Sequence, residues 1–91
     1  MKEPSPAQIR EKRAEAQAVE VTLHVGKEGV TEATTAELAA QLRKRRLVKV
    51  RFLPAASAAA QDGADAVERL AKGTESRVVD RRGSTAVFWR P

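Results

Sequence analysis

Val21-Thr22-Leu23-His24-Val25-Gly26-Lys27-Glu28-Gly29-Val30-Thr31 holds a change of period that sets the architecture of the chain. From Val21 to Val25 apolar and polar residues alternate, with Val21, Leu23 and Val25 on one side and Thr22 and His24 on the other. This is the pattern of a half-buried strand. From Thr31 the spacing lengthens, and Thr35, Leu38, Ala39 and Leu42 fall on one face of a helix that Thr31 is placed to cap. Thr34 and Glu37 also fit a capping box, which would start the helix one turn later. Between strand and helix lies Gly26-Lys27-Glu28-Gly29. Glycine adopts positive φ without steric cost, so Gly26 and Gly29 allow a tight turn and the close approach of a ligand. The helix that follows offers unpaired N–H groups and a partial positive charge, both favourable to an anion, and Lys27 adds a full charge. The same four residues also suit a plain strand-to-helix turn, so the rest of the chain has to decide between the two readings.

Downstream, the helix ends in Arg43-Lys44-Arg45-Arg46, and a strand follows over Leu47-Val48-Lys49-Val50-Arg51-Phe52-Leu53. Cations complement the negative end of a helix, but this explains only one or two of them. Six basic residues lie between positions 43 and 51 with no acidic one, which opposes folding unless an external anion is bound. Alternation turns Val48, Val50 and Phe52 inward and Lys49 and Arg51 outward, about 7 Å apart along one face, close to the spacing of successive phosphates on one strand. His24 has no acidic or nucleophilic partner in the pattern and reads as structural.

Pro54 stops this strand. A third helix is expected from Ala55 to Gln61 onward through Val67 and Leu70 to Lys72, with Gly73 as its left-handed cap and Gly63 weakening its first turns. Arg77-Val78-Val79-Asp80-Arg81-Arg82 and Thr85-Ala86-Val87-Phe88-Trp89-Arg90 then form a hairpin about Gly83-Ser84. Trp89 reads as core, with stacking on a base as the alternative. At the other end, Ser5 and Pro6 are the cap and first residue of a helix over Ala7 to Ala18. Ile9, Ala16 and Val19 are its buried contacts, and Arg10, Lys12 and Arg13 face solvent or a partner. The fold class is therefore an α/β (α+β) two-layer sandwich of order α-β-α-β-α-β-β, with a four-stranded mixed sheet and helices mainly on one face. The first two strands are expected to be parallel and the last two antiparallel.

At 91 residues the chain is expected to form a single domain over 1–91, with residues 1–6 flexible and one small core. Seventeen Lys and Arg against twelve Asp and Glu give a net charge of +5, which points to an anionic partner, nucleic acid first. The absence of cysteine excludes disulfides and thiolate zinc sites, and a single histidine argues against any other metal centre. No stretch approaches the length of an apolar membrane span and the N-terminus lacks a signal-peptide core, so a cytoplasmic protein is expected. No Ser/His/Asp or Cys/His set is present, and the glycine loop lacks the G-x-x-x-x-G-K-[ST] pattern of nucleotide hydrolases. Neither an enzyme nor a cofactor is expected.

Leu23-His24-Val25-Gly26-Lys27-Glu28-Gly29-Val30-Thr31, then Glu37-Leu38, Leu42, Leu47-Val48-Lys49-Val50-Arg51 and finally Ala86-Val87-Phe88-Trp89-Arg90-Pro91 resemble the CRM domain (chloroplast RNA splicing and ribosome maturation) in its stand-alone, YhbY-like prokaryotic form. The resemblance covers residues 7–91 and departs from the family pattern in the first helix and in Ala55 to Gln61. It implies a fold like the C-terminal domain of translation initiation factor three, and RNA binding in association with precursors of the large ribosomal subunit. It also implies a glycine loop that grips RNA backbone in the manner of KH domains. Carried over, it implies RNA contact by Gly26, Lys27, Glu28 and Gly29, supported by Lys49, Arg51 and Arg90. Thr31 and the basic run Arg43, Lys44, Arg45 and Arg46 complete the candidate interface. The expected partner is RNA, the large-subunit ribosomal RNA precursor first, with ribosomal proteins as further partners. A monomer is expected, with no small-molecule substrate. The rivals are a chromatin-type nucleic-acid binder and a module that docks on a ribosomal assembly protein.

Overall fold

Alternation along the second strand assigns the two faces of the sheet. In the computed structural model, which describes residues 5–26, 29–53 and 63–91, the described elements are α1 (Pro6–Ala16), β1 (Val21–Val25), α2 (Glu32–Arg45), β2 (Leu47–Phe52), α3 (Gly63–Thr74), β3 (Arg77–Arg82) and β4 (Thr85–Trp89). The four strands form one sheet in the order β1-β2-β4-β3. β1 runs parallel to β2 and β4 antiparallel to β3, as the sequence pattern predicts, and the structure adds the antiparallel pairing of β2 with β4 that joins the two halves.

Val48, Val50 and Phe52 of β2 turn to one face. With Val25, Ala86 and Phe88 they pack against Leu38 and Leu42 of α2 and Val67 and Leu70 of α3. The intervening residues of the central strands point the other way, where Val87 and Trp89 of β4 and Val79 of β3 pack with Ala16 of α1, and Leu47 and Ile9 border them. The helices thus lie mainly on one face, and α1 covers part of the other. Trp89 is core, only 6% exposed.

The placement of α1 explains its weak apolar pattern. Ser5 caps it with a capping box to Gln8, and Pro6 occupies its first turn, so those two residues belong to an ordered start, while 1–4 lie outside the described residues. The helix ends at Ala16, two residues before its expected limit. Lys12 and Arg13 do not simply face solvent as expected. The Lys12 ammonium sits 5.7 Å from the centroid of Trp89, and Arg13 Nε donates to the Val79 carbonyl at 2.9 Å. Val79 is where the β3–β4 register shifts, and a bulge leaves backbone groups that need another partner. Long cationic side chains can cover apolar surface with their stems, so α1 packs with few apolar residues.

Two further details depart from the sequence pattern. The register of β1 against β2 shifts between Val21 and Leu23, so strict alternation breaks: Thr22 turns to α2, where its hydroxyl donates to Gln41 Oε1 at 2.5 Å and its carbonyl accepts from Gln41 Nε2 at 3.1 Å. Gly73 is not the cap of α3. The helix runs to Thr74, and the left-handed residue is Glu75, with φ 55°. Thr74 closes the end by donating to the Leu70 carbonyl at 2.6 Å. Gly73 instead permits close approach to α2, since a Cβ there would stand 2.9 Å from Thr35 Cγ2. The expected helical stretch Ala55 to Gln61 lies outside the described residues.

Phe88 is fully buried in the larger cluster. Phe88→Ala is expected to cost about 3–5 kcal/mol, read by urea or thermal unfolding. A loss below about 1 kcal/mol would contradict this packing.

Candidate nucleic-acid interface

The glycine turn sits where β1 ends. Gly29 N–H donates to the Gly26 carbonyl at 2.9 Å, and Gly29 has φ 76°, a conformation that costs other residues about 1–2 kcal/mol. A Cβ on Gly29 would meet nothing within 4 Å, so the backbone there lies open to an incoming group. Lys27 and Glu28, the two middle residues of the motif, lie outside the described residues.

Thr31 caps α2, and its hydroxyl accepts from Thr34 N–H at 3.2 Å. The helix starts at the earlier of the two positions the sequence allowed, directly after the turn. The Thr31 carbonyl takes the Thr35 N–H. Among the described residues, Glu32 and Ala33 are left as the open amide donors of the first turn. The exposed Glu32 carboxylate beside them opposes an anion.

Parallel pairing brings the end of β2 to the same place. Leu53 N–H donates to the Val25 carbonyl at 2.9 Å, and Phe52 N–H donates to the Ser84 carbonyl at 2.7 Å. The glycine turn, the end of β2 and the Gly83-Ser84 hairpin turn therefore share one edge of the molecule. Arg51 is exposed there, opposite His24 on β1 and Thr85 on β4, and Thr85 in turn is opposite Arg82 on β3. These four residues form a row across all four strands, on the face that α1 only partly covers. Asp80 approaches Arg82 at 3.5 Å, with the arginine side chain 68% exposed, a geometry in which ion pairs contribute little. His24, which the sequence pattern reads as structural, and Arg82, which it does not single out, both stand in this row. Their membership follows from strand register, which a single sequence does not disclose. Leu53, the exposed large apolar residue at 39%, lies 4.0 Å from where a Cβ on Gly26 would be.

The basic run that looks continuous in sequence is divided in space. Lys49 and Arg51 lie on the sheet, whereas Arg43, Lys44, Arg45 and Arg46 are exposed at the far end of α2, about 20 Å from the turn at 1.5 Å per helical residue. There Arg46 takes a left-handed φ of 65°, its N–H donates to the Leu42 carbonyl, and its carbonyl accepts from Arg90 N–H at 2.9 Å. Arg43, Arg46 and Arg90 share a cavity of about 310 Å³ with Leu42 and Pro91. Glu75 stands 3.8 Å from Arg90. The candidate residues therefore form two cationic ends joined by the Lys49 face. Among the described residues, no group of three His, Asp or Glu side chains could hold a metal ion, and no helix is long and apolar enough to cross a membrane.

A family model for the CRS1/YhbY (CRM) domain matches residues 5–90. The chain belongs to that family. The CRM domain also resembles a solved structure, the solution structure of protein SAV1595 from Staphylococcus aureus, described as a candidate RNA-binding protein. The TM-score is 0.81 at 27% identity, over 98% of this chain and 90% of the other. A search of curated proteins gives no match. The match from residue 5 includes α1, so the polar first helix is part of the CRM domain here.

Gly29→Ala is expected to lower stability by about 1 kcal/mol because of its backbone conformation, although space is open around it. Gly29→Asn should recover much of that loss, since asparagine tolerates the left-handed region. Equal unfolding midpoints for wild type and Gly29→Ala would contradict the left-handed turn.

Proposed function

We propose that this CRM domain is a non-catalytic RNA-binding module that acts, as a cytoplasmic monomer, on precursor RNA of the large ribosomal subunit. The observation that carries the reading is the convergence at one edge of an open glycine turn, the start of α2 and the exposed Arg51, in a chain of net charge +5. Family membership and the solved relative described as a candidate RNA binder support RNA as the polyanion. The ribosomal assignment rests on the family resemblance.

In this mechanism the RNA backbone is gripped at the turn. Amides of the turn and of the first turn of α2 donate to phosphate oxygens, Lys27 and Arg51 neutralise charge, and Gly29 keeps side chains out of the way. Lys49 and the Arg43–Arg46 and Arg90 end extend the contact along the molecule. Such contacts position a backbone without reading its sequence. Affinity is therefore mainly electrostatic, and selectivity comes from RNA shape and from single-stranded character.

If about five phosphates are neutralised, log K for single-stranded RNA should fall with log[salt] at a slope of about −3.5. Arg51→Ala should make that slope shallower by about 0.7, one single-strand phosphate contact. Replacing Lys27 and Glu28 by aspartate should abolish binding, checked on protein shown by circular dichroism to be folded. A slope indistinguishable from zero would rule out the mechanism, and retained binding by the double variant would favour docking on a protein partner. Duplex DNA competing as well as RNA would favour the chromatin-type reading. Crosslinking in cells followed by sequencing should enrich large-subunit precursor RNA, and an even spread over cellular RNA would overturn the ribosomal assignment.

A further inference from the structure

Where α2 ends, three arginines from two elements surround one cavity. Arg43 and Arg46, a helical turn apart, line it from α2, and Arg90 lines it from the residue after β4. With Leu42 and Pro91 they enclose about 310 Å³. Backbone ties the two elements together there, since Arg90 N–H donates to the Arg46 carbonyl at 2.9 Å. Arg43 and Arg46 form no ion pair with any described residue, and Arg90 meets the Glu75 carboxylate at 3.8 Å. Arg46 is a costly residue at its position. Its φ of 65° lies in the left-handed region, which disfavours side chains and which glycine usually fills at a helix end. The tie to Arg90 uses only backbone atoms, so glycine would make it equally well. A left-handed arginine at this place points to a use for its side chain outside the fold.

We infer that Arg43, Arg46 and Arg90 form a phosphate-binding site, for which Glu75 competes as an internal anion. The inference rests on the RNA-binding reading and gives the end of the molecule away from the glycine turn a defined contact. Each guanidinium is a planar fork that suits two oxygens of a phosphate, and three such forks at one cavity can share its charge. The negative end of a helix attracts cations, which accounts for arginines in the last turn of α2 but not for Arg90, which comes from the sheet. Leu42 is buried, and its apolar surface keeps water from one side of the bound group, which strengthens the hydrogen bonds that group accepts. The Glu75 carboxylate shows which charge the site draws. It offers the oxygen chemistry of a phosphate with a single charge, and at 3.8 Å its approach to Arg90 is too long for a hydrogen bond and contributes little. A phosphate that reaches all three arginines therefore displaces it. That phosphate belongs to the interior of an RNA strand or to its 5′ end, and the two sources share the chemistry that the arginines recognise.

The test measures thermal unfolding, and affinity for a short single-stranded RNA ending in a 5′-hydroxyl or a 5′-phosphate, for wild type, Arg46→Gly, Glu75→Gln and Arg10→Ala. Arg10 is exposed on α1 and does not line the cavity, so its replacement controls for the loss of one charge. Arg46→Gly is expected to unfold about 3 °C above wild type, because the left-handed strain is gone, and yet to bind RNA about tenfold more weakly. Arg10→Ala should bind within about twofold of wild type, as an exposed charge remote from the site. Glu75→Gln should bind about threefold more tightly, the size expected for removing an exposed competing charge. A preference of wild type for the 5′-phosphate that Arg46→Gly loses supports the site and assigns it to the strand end, whereas an equal loss for both RNAs supports it and assigns it to an internal phosphate. Arg46→Gly binding no more weakly than Arg10→Ala would overturn the site and leave the RNA-binding reading intact. An Arg46→Gly midpoint below that of wild type would show that the arginine serves the fold, and would overturn it too. Unchanged or weaker binding by Glu75→Gln would overturn the competition. Failure of wild type to bind either RNA would overturn both readings. Should Arg46→Gly not fold, Arg90→Gln decides: a similar loss is expected, and wild-type affinity in that variant would refute the site.

Discussion

The structure depends on the period of two along β2. Because successive side chains of a strand point to opposite faces, Val48, Val50 and Phe52 close the core beneath α2 and α3, while Lys49 and Arg51 are kept on the other side. Neither group is optional for the other. The apolar set fixes the register, since a slip by one residue would bury the cations and expose the valines. Register in turn brings Arg51 to the end of the strand, opposite His24, where β1 opens into the glycine turn. A single alternation thus supplies both the hydrophobic stabilisation and the position of the charge.

The same logic divides the surface. The connection from β1 through α2 to β2 returns the chain antiparallel to the helix, so the start of α2 and the end of β2 lie at one end and the basic run Arg43–Arg46 at the other. One end has open backbone and a few cations, and the other has many cations around a shallow cavity. Two separated anchor points suit a polymer better than a small anion, since a polymer can satisfy both without the protein moving. The back of the sheet contributes rigidity: α1 seals Trp89 and Val87, and Arg13 meets the carbonyl at the β3 bulge.

Most of the fold was legible in the sequence because period and capping are local. Ser5, Thr31 and the Gly83-Ser84 turn act within a few residues, and the structure uses them as read. What was not legible depends on contacts between distant segments. Gly73 looked like a helix end, but its use is against Thr35, which only helix packing brings near. Thr22 looked outward until a register shift turned it to Gln41. The site divides in the same way. Gly26, Gly29 and Thr31 announce themselves by residue type, and Arg51 by alternation. His24 and Arg82 join Arg51 only through cross-strand pairing, and the separation of Arg43–Arg46 from the turn is a consequence of helix length that a run of adjacent letters conceals.

The central claim is that the glycine turn and the basic ends belong to one RNA path. The most direct measurement is a titration of isotope-labelled protein with single-stranded RNA, followed by backbone amide resonances. The account expects the amides of Gly26, Gly29, Thr31, Glu32 and Ala33 to shift first and together with Arg51, with Arg46 and Arg90 joining as the RNA lengthens. Shifts confined to α1 and β3, with a silent glycine turn, would contradict it.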